Sequence, residues 1–372
     1  MTTSTRAIVS LVRANGELEV AIRSQPVPTP ADDEVLIRVV AAPVNPADIK
    51  LLFGGLSAED LTVVDETVQA KLSSAQLLAL SGRLDVPLPV GNEGAGLVVA
   101  AGAASAAQAL LHRYVSVAAG GMFSDYRVAR AADCIMLPAD VSAAQGAAGW
   151  INPLTALAMV ETMQREGHHA LVLTAAASNL GQMLNRLCQA DAIPLVNVVR
   201  SAAQVDLLRS LGAAHVCNSS DPDFDAQLVD ALAATGATLA FDATGGGALA
   251  GRILRAMERA LVRSGQGYSR YGSTTLKQLY FFGGLDPSPV VFERDFGMAW
   301  AMGGWLLQPR LATFGADRVA AFKRRVAADL LTIFKADVDG IMPLSGLLSP
   351  AHFTTFMQLK TGGKMLVSPA LG

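Results

Sequence analysis

Between residues 170 and 247, short apolar runs alternate with segments whose apolar positions follow a helical spacing. The runs "ALVLTA", "PLVNVV", "AHVCN" and "TLAFDA" are nearly continuous in apolar and β-branched residues, as is typical of strands buried on both faces. Between the first two runs, one helix face is marked by Leu180, Met183, Leu184, Leu187 and Cys188. Strands that alternate with single helices predict a doubly wound parallel sheet, so the fold class is α/β.

The flanking regions show a different pattern, which indicates a second domain. In the first 150 residues, "EVLIRVVAA", "GAGLVVAAG" and "RYVSVAAGG" are spaced by Pro and Gly turns, which predicts a mainly β domain. Residues 56–86 contain two helix-start patterns, "SAED" and "SSAQLL", and predict an inserted pair of helices. After about Asp286 the pattern predicts a long helix and then strand, helix and strand. We expect these last strands to rejoin the first domain.

Composition excludes several classes of function. The 372 residues carry a formal charge of -3, and they lack the concentrated Lys and Arg that general nucleic-acid binding requires. No stretch reaches the roughly 18 consecutive apolar residues of a membrane-spanning helix. The three cysteines are isolated from each other, which fits neither a disulfide framework nor a Cys-rich zinc site. We therefore expect a cytoplasmic protein with no membrane and no nucleic-acid partner.

The segment "TAAASNLGQM" (174–183) follows a predicted buried strand and begins a predicted helix, which is where a dinucleotide-binding turn belongs. Such turns carry G-x-G-x-x-G, and here the three glycine places hold Ala176, Ser178 and Gly181. Ala and Ser are the smallest replacements for Gly, and the helix N-terminus that attracts a phosphate remains. We interpret the segment as a cofactor turn; the alternative is an ordinary strand-to-helix turn.

The residue expected to select between NADH and NADPH lies near position 200. NAD sites place an Asp or Glu about 20 residues beyond the turn, whereas an Arg suits the 2′-phosphate of NADPH. This chain has Arg200, followed by Ser201 as a predicted helix N-cap. The sequence therefore favours NADPH, with a solvated strand-end residue as the alternative interpretation of Arg200.

Several phrases taken together resemble the medium-chain dehydrogenase/reductase superfamily, on its zinc-independent side of quinone oxidoreductases and enoyl thioester reductases. They occur in the superfamily's order and cover most of residues 35–285. The phrases are "APVNPADIK", "PVGNEGAGLVVAAG", "GGMFSDYRV", "INPLTALAM", "TAAASNLGQ", "NVVRS", "LRSLGAAHV" and "FDATGG".

The resemblance implies a domain organisation. A GroES-like, mainly β catalytic domain would comprise residues 1–150 and 291–372, with the helical insertion at about 56–86. A Rossmann domain would comprise residues 151–290. The resemblance also implies a cleft where the domains meet and a homodimer as the assembly.

The resemblance also bears on zinc. Zinc-dependent relatives carry a Cys in the stretch that matches "VNPAD" and a His in the stretch that matches "GNEGAG", because catalytic zinc needs protein ligands and one open position. Here those stretches offer Val44, Asn45 and Asn92. We therefore expect no metal, and hydride transfer from NADPH to a quinone or an α,β-unsaturated carbonyl compound.

Particular residues carry this hypothesis. The resemblance places Asn45 and Asp48 at the floor of the cleft, near the nicotinamide, as candidate catalytic residues, and Tyr126 is a candidate hydrogen-bond donor. Their alternative interpretations are turn or cap chemistry and packing. The candidate cofactor-binding residues are Asn45, Thr155, Ala176, Ser178, Asn179, Leu180, Gly181, Arg200, Ser201, Thr244, Gly283 and Lys364.

Two departures from the superfamily pattern leave other functions open. Enoyl thioester reductases carry a Tyr proton donor at a place that matches about Leu56, with Phe53 close by. In residues 264–280, Tyr268, Arg270 and Lys277 belong to an inserted stretch that we interpret as a loop over the cofactor, at the dimer contact or in solvent. The alternatives are therefore a trans-2-enoyl thioester reductase and, from another class, an NADPH-binding sensor or structural protein without turnover.

Overall fold

The computed structural model describes residues 3–265, 269–357 and 362–372. It contains two compact units. Unit 1 comprises residues 1–151 and 323–372, and unit 2 comprises residues 152–322.

Strands and helices alternate between residues 171 and 263, as the sequence pattern predicts, and the elements before and after this region do not follow a regular alternation. The strands are β1 (Ser4–Val12), β2 (Glu17–Pro26), β3 (Glu34–Pro43), β4 (Thr62–Val64), β5 (Thr67–Lys71), β6 (Leu88–Pro89), β7 (Gly94–Ala101), β8 (Tyr114–Val117), β9 (Tyr126–Arg130), β10 (Ile135–Met136), β11 (Leu171–Leu173), β12 (Leu195–Val199), β13 (His215–Asn218), β14 (Leu239–Asp242), β15 (Lys277–Phe281), β16 (Trp300–Gly304), β17 (Val338–Met342) and β18 (Lys364–Val367). The α-helices are α1 (Pro46–Phe53), α2 (Ser74–Ala79), α3 (Ser105–Gln108), α4 (Ala143–Gly146), α5 (Ile151–Arg165), α6 (Asn179–Ala190), α7 (Ala202–Ser210), α8 (Phe224–Thr235), α9 (Leu249–Arg263), α10 (Leu307–Phe314), α11 (Ala316–Asp329) and α12 (Pro350–Met357). Short 3₁₀ turns are Ala58–Asp60, Ser81–Arg83, Ala131–Asp133, Leu344–Leu348 and Pro369–Leu371.

Unit 2 is built on a parallel sheet with the strand order β13-β12-β11-β14-β15-β16. All residues of β11, β12 and β14 are buried, which explains why these strands are continuously apolar in the sequence. Phe241 of β14 packs against Tyr280 and Trp305 with ring centroids 5.7 and 5.5 Å apart. The predicted α/β fold with a doubly wound parallel sheet is confirmed.

Unit 1 contains two mainly antiparallel sheets. One has the order β4-β5-β2-β1-β6, and the other has the order β10-β8-β7-β3-β18-β17, with β9 also pairing β3. Buried apolar side chains of both sheets, such as Ile8, Ile37 and Val98, form the core. Because β18 pairs antiparallel with β3, the C-terminal strands lie in the same sheet as the N-terminal part of the chain.

The insertion at 56–86 corrects the sequence interpretation, because it holds a β-hairpin where the first of two helices was predicted. Strands β4 and β5 pair antiparallel. The two residues between them, Asp65 and Glu66, both have positive φ (46° and 59°), as a two-residue hairpin turn requires. Only the second helix start forms an α-helix: Ser73 caps α2 by accepting from Gln76 N at 3.3 Å. The β-branched residues of "TVVDETV" favour strands over a helix.

The second boundary between the units lies at 322/323 and not at 290/291. The cause is β16, which pairs parallel with β15 along its whole length and so adds residues 300–304 to the unit 2 sheet. The long helix α11, which begins at Ala316, then runs past this boundary.

Candidate functional site

The order of strands in unit 2 creates a crevice at one edge of the sheet. Strand β11 has β12 on one side and β14 on the other, and all three are parallel. Chain connections leave β11 and β14 in opposite directions, so their carboxyl ends flank the point where ligands bind in open α/β sheets. The loops 174–178 and 243–247 follow these two strand ends.

The loop after β11 turns sharply into α6, and glycine is required at one place. An added Cβ on Gly181 would lie 2.0 Å from the carbonyl oxygen of Ala176. The helix can therefore start this close to the turn only with glycine, as the third place of the fingerprint demands. Ala175 has φ of 48°, a left-handed conformation that costs free energy for a residue with a Cβ.

The N-terminus of α6 has the features of an anion site. Ser178 is the N-cap, and its hydroxyl accepts from Gly181 N at 3.2 Å. Asn179 and Leu180 are the first helical residues, and the main-chain N-H groups at a helix start point outward from it. Ala176 is fully buried and adds no bulk that would keep a phosphate away. These residues fit a dinucleotide pyrophosphate.

A hydrogen-bonded pair that sequence reasoning missed joins the two loops. Thr174 donates to Asp242 Oδ1 at 2.6 Å, and Ala243 N donates to the Thr174 hydroxyl at 2.8 Å. Asp242, which is fully buried, also accepts from Thr244 N at 2.9 Å and from Gly245 N at 3.3 Å. The pair fixes the backbone on both sides of the crevice. Its only sequence signal is a polar residue at the carboxyl end of each strand.

Arg200 lies directly after β12, the strand next to β11, and its side chain is exposed. Its main-chain N-H donates to Gln204 Oε1 at 3.0 Å, and its carbonyl accepts from Ser220 at 3.0 Å. Ser201 is the N-cap of α7, as predicted. The guanidinium therefore extends from a fixed backbone at the carboxyl edge of the sheet.

Gly283 lies where the chain leaves β15. Close packing against the neighbouring loop leaves no room for a side chain at this position. An added Cβ would lie 2.7 Å from the carbonyl oxygen of Ala243, and one on Gly245 would lie 2.5 Å from that of Gly283. The loops after β14 and β15 are thus pressed together. Beside them, at the carboxyl ends of β15 and β16, a cavity of about 460 Å³ is lined by apolar groups including Phe282 and Trp305, with Arg310 among its lining residues.

In unit 1, two predicted catalytic residues lie in a buried polar cluster, which we call the Asn45 cluster: Asn45, Asp48, Glu93 and Lys364. Asn45 is the N-cap of α1, and its N-H donates to Asp48 Oδ2 at 2.9 Å. Its side-chain Nδ2 donates to Glu93 Oε1 at 3.1 Å, and its Oδ1 accepts from Lys364 Nζ. Cap chemistry therefore explains part of the "NPAD" motif, and the cluster adds Glu93, which sequence reasoning missed.

Burial dominates the electrostatics of the Asn45 cluster. Asp48 and Glu93 are both fully buried. Burial raises the pKa of Asp48 to about 7, although its main-chain donors Asn45 and Asn92 oppose the shift. Burial also raises the pKa of Glu93 and lowers the pKa of Lys364. With both carboxyl groups ionised, two buried anions would face a single cation. The cluster therefore favours a state that holds one proton more than this fully ionised state.

The Lys364 amine has a partner that the sequence did not indicate. It bonds to Asn45 within unit 1, and its role toward a cofactor phosphate stays a prediction. Thr155 is buried in α5, and Tyr126 begins β9 as a half-buried side chain. Leu56 and Phe53, at the place of the absent Tyr, are buried core residues.

The inserted stretch 264–280 differs from the loop that was expected. Lys277 is the first residue of β15 and is fully buried, with its amine 2.7 Å from Glu258 Oε2. It therefore anchors the segment to α9 and lies neither in solvent nor at an exposed contact. Tyr268 lies outside the described residues.

Within residues 3–265, 269–357 and 362–372, no three or more His, Cys, Asp or Glu side chains form a group able to hold a metal ion. None of the helices described there is long and apolar enough to span a membrane.

Comparison with known proteins gives relatives of two kinds. No family model matches the sequence. The chain is 29% identical over 194 residues to the mitochondrial enoyl-[acyl-carrier-protein] reductase of Xenopus tropicalis, covering 50% of this chain and 48% of that protein. It is 28% identical over 206 residues to a chloroplastic quinone-oxidoreductase homolog of Spinacia oleracea, covering 53% and 56%. The chain thus spans about half the length of the curated relatives it matches.

Solved structures extend the likeness over the whole chain. A candidate NADPH:quinone reductase from Mesorhizobium loti has a TM-score of 0.74 and 26% identity, with 99% of both chains covered. A mycobacterial protein in complex with NADPH has a TM-score of 0.69 and 18% identity, which concerns the fold alone, with 98% of this chain and 100% of that chain covered. The homologues and structural neighbours are thus NADPH:quinone oxidoreductase-like and enoyl reductase-like members of the medium-chain dehydrogenase/reductase family.

Proposed function

We propose that this protein is an NADPH-dependent, zinc-independent reductase that transfers hydride to a quinone or an α,β-unsaturated carbonyl compound. The observation that carries the proposal is the switch point of unit 2, where the α6 N-terminus and the Arg200 side chain follow neighbouring strands. NADPH, when bound, supplies the hydride. The main-chain N-H groups at Asn179 and Leu180 would hold its pyrophosphate, and Arg200 would pair with its 2′-phosphate.

The acceptor is proposed to be apolar and to contain a carbonyl group. The cavity beside Gly283 supports an apolar acceptor, because its aromatic lining offers dispersion contacts and Arg310 is already paired with Glu166 at 3.0 Å. Asn45 and Asp48 in unit 1 stay predicted catalytic residues. Asp48 fixes the backbone of Asn45.

The experiment that tests the cofactor assignment is a fluorescence titration with NADPH and NADH, followed by NADPH oxidation with 1,4-benzoquinone. Arg200→Glu should weaken NADPH binding at least tenfold while changing NADH binding little, because the charge reversal repels the 2′-phosphate. Arg209→Glu is the matched control, since Arg209 is exposed in the last turn of α7, at the end of that helix remote from Arg200. Equal losses for both cofactors in Arg200→Glu would defeat the assignment.

A second candidate is a trans-2-enoyl thioester reductase, which the enoyl reductase relatives favour. Turnover of a crotonyl thioester at a rate comparable to benzoquinone would establish it in spite of the apolar residue at position 56. A protein that binds NADPH tightly but oxidises it with none of these acceptors would instead be a sensor or structural protein.

The assembly is proposed to be a cytoplasmic homodimer. Exposed apolar side chains are concentrated between residues 285 and 306 of unit 2, and they include Leu285, Val291, Phe292, Met298 and Leu306. A second copy of the chain would remove this surface from water. Light scattering coupled to gel filtration gives the mass directly, and a monomer of 38.7 kDa at micromolar concentration would exclude a stable dimer.

A further inference from the structure

The cavity beside Gly283 is formed by residues of unit 2. Its lining residues lie between 281 and 310, at the carboxyl ends of β15 and β16. Neighbouring strands of a sheet are about 4.8 Å apart, so the end of β16 lies about 10 Å from the end of β14, two strands away. Because the proposed cofactor crevice is at β14, the cavity is placed for a part of the acceptor that is remote from its reacting carbon.

The aromatic wall of the cavity is held in place by contacts within unit 2. Trp305 Nε1 donates to Thr162 Oγ1 at 3.2 Å, and Trp305 N donates to the carbonyl of Phe281 at 2.8 Å. The rings of Trp305 and Phe282 both make edge contacts with Phe241, with centroids 5.5 and 6.5 Å from it. A cavity whose walls are fixed in this way is preformed and selects its ligand by shape.

The charge of Arg310, which also lines the cavity, is compensated by its neighbours. Its Nη1 donates to Glu166 Oε1 at 3.0 Å, and its guanidinium lies over the ring of Tyr280, 4.9 Å from the centroid. Glu166 accepts in addition from the Tyr280 hydroxyl at 2.8 Å. An anionic ligand group would compete with Glu166 for Arg310, whereas an apolar group leaves the ion pair intact and covers aromatic surface. The cavity therefore favours apolar groups over anionic ones.

Gly304 lines the cavity although the fold does not require glycine there. It is the last residue of β16, and no described atom lies within 4 Å of an added Cβ. Its φ is not among the positive values that favour glycine. At Gly181 and Gly283, by contrast, carbonyl oxygens would lie 2.0 and 2.7 Å from an added Cβ. Glycine weakens a strand and often marks a place where a ligand approaches closely, so the space at Gly304 is available to a ligand.

We propose that the cavity binds an apolar substituent of the acceptor, and that Gly304 is a specificity-determining residue that keeps this space free of a side chain. This inference rests on the proposed reductase function and deepens it by naming the acceptor class. The acceptors are quinones and enones with a ring or alkyl substituent that extends about 10 Å from the crevice along the carboxyl edge of the sheet. Unsubstituted 1,4-benzoquinone is shorter than this distance and reacts without the binding energy of the substituent.

The test compares 2-phenyl-1,4-benzoquinone with 1,4-benzoquinone, which share the reacting ring and differ by one apolar group. In the wild type, kcat/KM with the phenyl derivative should be higher by at least about tenfold, as burial of one aromatic ring implies. Gly304→Leu fills the open space, so this preference should fall to about parity. Gly304→Val, with a smaller side chain that suits a strand, should give an intermediate loss.

Gly303→Ala is the matched control in the same strand. Its Cβ would point to the opposite face from that of Gly304 and would lie 3.5 Å from Tyr280 Cε1, an ordinary van der Waals distance. It should keep the wild-type preference. The melting temperature and the mass in solution of every variant show whether fold and assembly are intact. Equilibrium dialysis of the phenyl derivative measures its binding without turnover.

A folded Gly304→Leu variant that keeps the wild-type preference would overturn the inference. An unchanged preference together with an altered mass would overturn it as well, because the open space would then serve a contact between two copies. If Gly304→Leu does not fold, an unchanged preference in Gly304→Val has the same meaning. Failure of the proposed function gives a different result: the wild-type chain would oxidise NADPH with neither quinone, while dialysis would still show whether the phenyl derivative binds and whether Gly304→Leu prevents it.

Discussion

The replacement Gly181→Ala probes the cofactor turn with a single methyl group. Its Cβ would lie 2.0, 2.5 and 2.7 Å from the carbonyl oxygen, carbonyl carbon and Cα of Ala176. Favourable contacts between non-bonded carbon atoms begin at about 3.5 Å, so the start of α6 must move away from the turn by about 1 Å. These are backbone atoms that have no rotamer to relax into.

The size of the effect follows from this clash. Overpacking of a tight interior costs about 1 to 3 kcal/mol, and a clash with backbone belongs at the upper end, about 3 kcal/mol. For a unit of the size of unit 2, each kcal/mol corresponds to roughly 2 to 4 °C, so melting should fall by about 6 to 12 °C. NADPH binding should weaken in parallel, since the displaced helix N-terminus is the proposed phosphate site.

The assay is thermal unfolding by circular dichroism, together with NADPH fluorescence titration. Gly82→Ala is the matched control, because an added Cβ there has no atom within 4 Å and Gly82 is an exposed residue of unit 1 that does not line the cavity. It should change the melting temperature by less than about 2 °C, as surface substitutions do. If Gly181→Ala melts and binds NADPH like this control, the packing argument for the turn is refuted.

Three further predictions concern buried groups. Burial raises the Asp48 pKa to about 7, which favours the folded state at low pH; that stabilisation is complete below about pH 4 and is lost as pH rises through 7. Urea unfolding of wild type should therefore lose about 3 kcal/mol more between pH 5 and 8 than Asp48→Asn does, and parallel pH profiles would contradict this. Lys277→Met leaves the Glu258 carboxylate buried and unpaired, so the free energy of unfolding should fall by about 3 to 5 kcal/mol; a loss below 1 kcal/mol would exclude a stabilising pair. The three cysteines are buried, with thiol pKa values raised to about 11 or 12, so a disulfide reagent should modify them only after unfolding, and rapid modification of the native protein would contradict their burial.

The sequence alone determined most of unit 2, because burial and helix capping leave local patterns. Strands β11, β12 and β14 are buried on both faces and therefore appear as continuous apolar runs. Ser178 and Ser201 begin helices as expected, because a hydroxyl next to an amphipathic segment satisfies free main-chain N-H groups. The fold class and the position of the turn followed from these patterns.

Tertiary structure decided what local pattern cannot encode. Strand β16 has the sequence "WAMGG", with neither apolar alternation nor a turn signal, and it forms because the free edge of β15 offers hydrogen bonds to it. The Asn45 cluster gathers residues 45, 93 and 364 through the pairing of β18 with β3. The sequence named Asn45 and Lys364 as candidates but did not indicate that they contact each other, or that Glu93 contacts Asn45. Only the long-range strand pairing brings a buried amide, a carboxylate and an amine within hydrogen-bonding distance, so the pairing and not the local sequence defines that candidate site.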